Sequence, residues 1–232
     1  NHFIELNKDE SGLLYLVVHT GSRNLGKQVA DFYQQMAIKS LTKNGETLLP
    51  KALCFLQGEQ KEKYLHDMKL CQRWAVLNRK LIMGLLLDFL QANSYVSSVN
   101  NEDAFESVHN YISDENLIRK GAISAKLGEK CIVPMNMRDG SLICIGKGNE
   151  DWNNSAPHGA GRVMSRTKAF EIIELNDFKE SMKGIYSETI SEGTKDESPM
   201  VYKPMQEIVE NISDTVTIIN TIKPIFNFKA AE

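Results

Sequence analysis

From about Gln60 to Ala92 the apolar residues Tyr64, Met68, Cys71, Trp74, Ala75, Ile82, Leu85, Leu86 and Phe89 recur at three- and four-residue steps. That is the period of an amphipathic helix, so this segment predicts one long helix, or a kinked pair with Gly84 as the weak point. Residues 12–19, Gly-Leu-Leu-Tyr-Leu-Val-Val-His, are instead a near-continuous apolar run, as expected of a strand buried on both faces. A small-residue turn, Thr20-Gly21-Ser22-Arg23-Asn24-Leu25-Gly26, follows, and then a helical pattern from about Lys27 to Lys43. Residues 104–112, 130–137 and 141–145 read as short strands, the last two joined across Arg138-Asp139-Gly140 in a hairpin-like turn. Helix and strand periods thus occur side by side without an internal repeat, which predicts an α+β fold with mixed β-sheets flanked by helices.

Further along, glycines at 146, 148, 159 and 161, the pair Asn153-Asn154 and Pro157 make 146–161 irregular, and such a stretch in a compact domain is usually functional. A helix is expected from near Arg162 toward Leu175. Asp177 and Glu180 have capping-box spacing for another through about Tyr186, and the polar, acidic residues 187–199 read as a mobile loop. Residues 119–168 hold nine Lys or Arg against four acids, and 169–200 hold three Lys against eight. A chain of formal charge -3 can therefore still offer an anion-binding segment.

Composition closes off other classes. Pro and Gly together are 21 of 232 residues, which excludes collagenous and low-complexity chains. The four cysteines, at 54, 71, 131 and 144, form no Cys-x-x-Cys pair, so neither a disulfide framework nor a zinc knuckle is suggested, and a reducing, cytoplasmic setting is expected. The most apolar run, Leu81–Leu90, contains Asp88 and is half the roughly 20 residues that a membrane span requires, so no membrane partner is expected. The chain opens on Asn1 and runs straight into structured-looking sequence, which reads as a cut within a longer protein.

Histidine is scarce, with five in the chain, at 2, 19, 66, 109 and 158. His158 lies in Ser155-Ala156-Pro157-His158-Gly159-Ala160-Gly161-Arg162, where glycines let backbone amides approach a ligand, and Arg162, Arg166 and Lys168 follow within two turns. The alternative is a glycine-rich turn with a surface histidine. His19 ends a strand beside small residues and Arg23. His2 sits on an alternating stretch in which residues 1, 3 and 5 share one face, and His109 falls in the strand-like His109-Asn110-Tyr111. Neutral imidazole ligates transition metals, so these three could converge on one, or each could be a hydrogen-bonded structural residue. His66 has charged helical neighbours and reads as solvated.

The segments Asn1-His2-Phe3-Ile4-Glu5, His19 to Gly26, His109-Asn110-Tyr111, Arg119-Lys120-Gly121-Ala122 and His158-Gly159-Ala160-Gly161-Arg162-Val163-Met164-Ser165-Arg166 resemble successive motifs of the RtcB family of RNA-splicing ligases, in the family's order. Tyr202-Lys203 and Lys229 resemble its closing motifs. The resemblance implies an RtcB-like catalytic fold, with residues 1–232 as the C-terminal portion of a single catalytic domain. It implies a GTP- and manganese-dependent enzyme of tRNA splicing or RNA repair that joins RNA 3′-phosphate or 2′,3′-cyclic phosphate ends to 5′-hydroxyl ends. Its partners would be GTP and RNA, as tRNA halves or cleaved RNA ends.

Carried over by position, His158 is the nucleophile that takes GMP, and His2, His19 and His109 are manganese ligands. The nucleotide would lie along Asn1, His2, Phe3, Ile4, Glu5, His109, Asn110, Pro134, Met135, Asn136, Met137, Ser141, His158, Gly159, Ala160, Gly161, Tyr202 and Lys229. Glu5 and Lys229 would read the guanine edge and Tyr202 would stack, while Arg23, Lys120, Arg162 and Arg166 would take triphosphate or RNA phosphates. Pro134-Met135-Asn136-Met137-Arg138-Asp139-Gly140-Ser141 departs from the Gly-Ser-Met-Gly loop common in the family. The family also takes an aspartate and a metal-bridging cysteine from an N-terminal portion, and none of the four cysteines here lies in that context. Two rival readings are a metal-dependent phosphohydrolase or nucleotidyltransferase, and an RNA- or nucleotide-binding fragment without turnover.

Overall fold

A computed structural model describes residues 2–229. In chain order the elements are β1 (Phe3–Lys8), β2 (Leu14–His19), α1 (Arg23–Ser40), β3 (Thr42–Lys43), β4 (Glu46–Thr47), α2 (Gly58–Ala92), β5 (His109–Ile112), β6 (Ile118–Ser124), β7 (Lys130–Asn136), β8 (Gly140–Gly146), β9 (Ser155–Pro157), α3 (Arg166–Ile172), α4 (Leu175–Ser181), α5 (Met205–Asn211) and β10 (Val216–Lys229). The fold is α+β. The described residues divide into two compact units, the first holding 3–17 and 98–229, the second His2 and Val18–Ser97.

The first unit is organised by a five-stranded sheet in the order β2-β1-β10-β8-β7. β10 is long enough to serve two partners. Its C-terminal part pairs antiparallel with β1, placing Phe3 opposite Lys229 and Glu5 opposite Asn227. Its N-terminal part pairs with β8, placing Ile222 opposite Ser141. A second sheet, β5-β6-β9, is also antiparallel. Ile123, Val133, Leu142, Cys144, Ile212 and Val216 belong to one buried cluster, and Met137, Ala169, Ile173, Phe178, Met182 and Val201 form another. The β7–β8 turn closes because Asn136 Oδ1 accepts the backbone N–H groups of Arg138 and Asp139 at 3.0 and 2.9 Å. Gly140 then has φ +80°, and a Cβ there would sit 2.0 Å from the Ile222 carbonyl oxygen, so only glycine lets β8 approach β10.

In the second unit α1 packs on α2 through Tyr33, whose hydroxyl donates to Asp67 at 2.7 Å and whose ring meets Tyr64 edge-on at 5.3 Å. β3 and β4 form a hairpin across Asn44-Gly45, both left-handed at φ +51° and +84°, the conformation a two-residue turn of this type demands.

Several expectations are corrected. Residues 12–19 do not form a strand buried on both faces. β2 starts at Leu14, which is exposed, and the rest of it is half-buried, because it lies at the edge of its sheet. Of the two readings of the 60–92 segment, the single long helix holds, unbroken at Gly84. The expected helix at Arg162 begins at Arg166 instead, because Ser165 caps it by accepting the Lys168 N–H. Asp177 is inside α4 rather than at its cap, and α4 ends at Ser181. Residues 187–199 are not simply a loop in solvent: Glu192–Glu197 form a 3-10 turn in which Thr194, Asp196 and Glu197 are buried.

Candidate active site

β1 alternates, and the face it turns inward carries Phe3, Glu5 and Asn7, all buried. Opposite them on β10 lie Lys229 and Asn227, also buried. A strand face that buries three polar side chains and one ammonium must satisfy them internally. Asn227 Nδ2 donates to Glu5 Oε1 at 2.6 Å and Asn7 Nδ2 to Oε2 at 3.3 Å. Burial pushes the Glu5 carboxyl up to about 7, against the Lys229 charge and these two amide donors. The Lys229 ammonium lies 4.9 Å from the Phe3 ring centroid, within cation–π range.

Lys229 then meets the 3-10 turn. Glu197, 3% exposed, accepts from Lys229 Nζ at 2.9 Å, from the Tyr202 hydroxyl at 2.7 Å and from Arg162 Nη2 at 3.0 Å. Burial opposes its ionisation, but the Lys229 charge and the Lys229 and Tyr202 hydrogen bonds win and bring it down to about 2. Burial, and the Glu197 charge after it, push the Tyr202 phenol well above its usual range. The Arg162 guanidinium lies 5.2 Å from the Tyr202 ring centroid, and Arg166 Nη1 donates to Asp196 at 2.7 Å. The basic 119–168 segment and the acidic 169–200 segment therefore meet here.

The His158 loop is strung between neighbours. His158 N–H donates to the Gly121 carbonyl at 3.3 Å, Ala160 N–H to Pro134 at 3.0 Å, and Lys203 N–H to Gly161 at 3.1 Å. Gly159 lies so close to β7 that a Cβ would stand 3.0 Å from the Pro134 oxygen. The His158 and His109 rings face each other at 5.0 Å between centroids. β5 is bulged between His109 and Tyr111, where Asn110 adopts φ +57° and its side-chain oxygen accepts the Gly121 N–H at 2.7 Å in place of a ladder bond. Pro134 pairs with Ser141 across β7 and β8, and the buried Ser141 hydroxyl has no hydrogen-bond partner among the described residues.

In the second unit His19 ends β2, and His2 Nδ1 is hydrogen-bonded to the Arg23 guanidinium, with Arg23 itself at φ +45°. His66 is exposed beside Asp67. Among the described residues, no group of three or more His, Cys, Asp or Glu side chains is gathered as a metal site.

Residues 1–230 match the protein family described as tRNA-splicing ligase RtcB. The chain belongs to the RtcB family. It is 34% identical to the RNA-splicing ligase RtcB of Escherichia coli K12 over 97% of its length, and covers 58% of that protein. It is 27% identical to the tRNA-splicing ligase RtcB of Methanococcus maripaludis and 26% identical to that of Aeropyrum pernix, over 86% and 90% of its length and 48% and 53% of theirs. It thus spans roughly half to three-fifths of the length of these curated relatives.

The first unit brings together most of the positions that the RtcB resemblance singles out: Phe3 and Glu5 beside Lys229, which with Tyr202 meets Glu197, and His109, Asn110, His158 and the Pro134 region around the glycine loop. Ile4 is on the opposite face of β1 from Phe3 and Glu5, and Lys120 is exposed. His2, His19 and Arg23 belong to the second unit, and Asn1 lies outside the described residues. Arg162 and Arg166, expected to take phosphates, both contact Asp196 and Glu197 here. Sequence reasoning missed Asn7, Asn227, Asp196 and Glu197. The first two carried a signal, polar residues at two-residue spacing from Glu5 and Lys229 on strand-forming segments.

Proposed function

We propose that this chain carries the guanylylation centre of a GTP- and manganese-dependent RNA ligase that joins RNA 3′-phosphate or 2′,3′-cyclic phosphate ends to 5′-hydroxyl ends. The carrying observation is His158, in a loop stretched between Gly121 and Pro134, facing His109 at 5.0 Å and followed by Arg162, whose buried Nη1 has no hydrogen-bond partner among the described residues. A His158 ring nitrogen would attack the α-phosphorus of GTP. The P–N bond forms as the bond to the leaving pyrophosphate breaks, giving histidine-GMP. GMP would pass to the RNA 3′-phosphate, and the 5′-hydroxyl would then displace it.

Phe3, Glu5, Tyr202 and Lys229 would hold the guanine, with a Glu5 carboxyl raised by burial to about 7 and an ammonium held by Glu197. Asn1, Asn110, Pro134, Asn136, Ser141 and the backbone of Ile4, Met135, Met137 and Gly159–Gly161 would line the rest of the nucleotide. The orphaned Ser141 hydroxyl suits a polar ligand atom. Arg23, Lys120, Arg162 and Arg166 would meet phosphates.

His2, His19 and His109 would hold manganese. Their neutral imidazoles are donors suited to a transition-metal ion, and the ion would draw charge from phosphate oxygens. RNA, as tRNA halves or cleaved ends, would be the polymeric partner. The cytoplasm is the proposed setting, supported by the four cysteines remaining unpaired.

The test incubates this chain, and the protein at its natural length, with manganese and GTP labelled at the α-phosphate. Acid-labile label on His158, absent from His158→Ala, and ligation of 3′-phosphate to 5′-hydroxyl RNA ends are expected of the natural-length protein. Release of phosphate or nucleotide without ligated RNA would overturn the ligase reading in favour of a phosphohydrolase.

A further inference from the structure

β6 is the middle strand of the small sheet, and its neighbours carry the two facing imidazoles: His109 opens β5, and His158 follows β9 directly. Side-chain alternation turns Lys120 to solvent and Arg119 inward, where it is 3% exposed. Each of its three guanidinium nitrogens donates. Nε donates to Ser155 Oγ at 2.9 Å, Nη1 to the Tyr111 hydroxyl at 3.2 Å, and Nη2 to the Asn153 and Asn154 carbonyl oxygens at 3.3 and 3.5 Å. The guanidinium carbon also lies 5.7 Å from the Tyr111 ring centroid. Each of these acceptors is neutral, and Glu115, whose charge reaches Arg119, is hydrogen-bonded to Lys126.

A buried cation without a bonded carboxylate is costly, so a fold that keeps one must draw something from its shape. The planar five-donor fork gives a geometry that a point charge on a flexible stem cannot. Here it supplies a span. Tyr111 is two residues from His109, and Ser155 is three residues from His158. The backbone ladders tie that span at few positions. β9 pairs with β6 over three positions, and the β5–β6 ladder is interrupted at the Asn110 bulge.

We propose that Arg119 is a positioning residue: its guanidinium fork holds β5 and β9 at the separation that places the His158 ring against His109. The inference rests on the reading of His158 as the nucleophile, and it adds a residue that acts on it through two strands.

The test compares the parent with Arg119→Lys, which keeps the charge and loses the fork, and with Tyr111→Phe/Ser155→Ala, which keeps Arg119 and removes two acceptors. Proton NMR of the imidazole carbons reads the mutual ring-current shifts of His109 and His158, with His66 as internal control. Guanylylation of the natural-length protein is read as rate against KM for GTP. In both variants the His109 and His158 signals move while that of His66 stays. The guanylylation rate falls about tenfold or more with KM changed less than about twofold, as misplacement of a nucleophile does.

Unchanged histidine signals and rate in a folded Arg119→Lys protein would overturn the clamp. Where that variant does not fold, the same unchanged result in Tyr111→Phe/Ser155→Ala overturns it. Shifted signals in proteins of which none, the parent included, takes label would uphold the clamp and count against the ligase reading alone.

Discussion

The Lys229 ammonium lies 2.9 Å from a Glu197 carboxylate oxygen, with 5% and 3% of the two residues exposed. One comes from the last described residue of β10, the other from a 3-10 turn that sequence pattern alone would leave in solvent. The pair orients the cation that stands over Phe3 and shares its carboxylate with Tyr202 and Arg162.

Breaking such a pair from one side leaves a buried charge behind, so Lys229→Met is expected to lower the unfolding free energy at pH 7 by about 3 kcal/mol in urea titrations. Glu197→Gln tests the same contact through pH. The Glu197 carboxyl ionises at about 2 when folded, against an ordinary 4.5, so its stabilising contribution is present above 4.5 and is lost as pH falls through 2. The stability gap between parent and Glu197→Gln should shrink by about 2 kcal/mol from pH 6 to pH 3. A gap constant with pH would show that Glu197 is not held ionised by its partners.

Glu5 has the opposite sign. Its folded value of about 7 exceeds the ordinary 4.5, so its contribution is full below 4.5 and is lost as pH rises through 7. Glu5→Gln should therefore gain on the parent by about 2 kcal/mol between pH 5 and pH 8. The amide can be accommodated because Asn7 Oδ1 and Asn227 Oδ1 are buried without hydrogen-bond partners among the described residues. Parallel stability curves for the two proteins would refute the raised Glu5 value.

Two glycines make a backbone test. Gly140→Ala would force a Cβ to 2.0 Å from the Ile222 oxygen at φ +80°, and should cost about 3 kcal/mol or more, or prevent soluble expression. Gly84→Ala meets nothing within 4 Å inside α2 and should raise stability by about 0.5 to 1 kcal/mol. Thermal unfolding of the two variants side by side checks both.

Histidine substitutions divide by place. His158→Ala should remove all covalent GMP while leaving the circular dichroism spectrum unchanged. His66→Ala, at an exposed helical position beside Asp67, should leave adduct formation at the parent rate. Retention of label by His158→Ala would move the nucleophile to another residue.

Local pattern was a good guide wherever one element decides the outcome. The 60–92 periodicity became α2, and the Arg138-Asp139-Gly140 turn became the β7–β8 hairpin, because helix period and turn chemistry depend on neighbours in sequence. His19 at a strand end, His109 in a strand and His158 in a glycine-flanked loop were placed for the same reason. The apolar run of β2 reads as doubly buried, yet β2 is an edge strand, because an edge position depends on the sheet and not on the strand.

The sequence by itself determined the long α2 periodicity, the β7–β8 turn, the five histidines and, through ordered motifs, the family. The tertiary structure alone decided which charges became buried partners. Asp196 and Glu197 read as solvated because an acidic run carries no periodicity that points inward. The contacts with Arg162, Arg166 and Lys229, distant along the chain, supply the charges that make their burial tolerable. Arg119 is the same case without a bonded carboxylate. Nothing in Arg119-Lys120-Gly121-Ala122 reveals that its first cation turns inward and the second outward, since that depends on which side of β6 the Tyr111 and Ser155 hydroxyls come to lie.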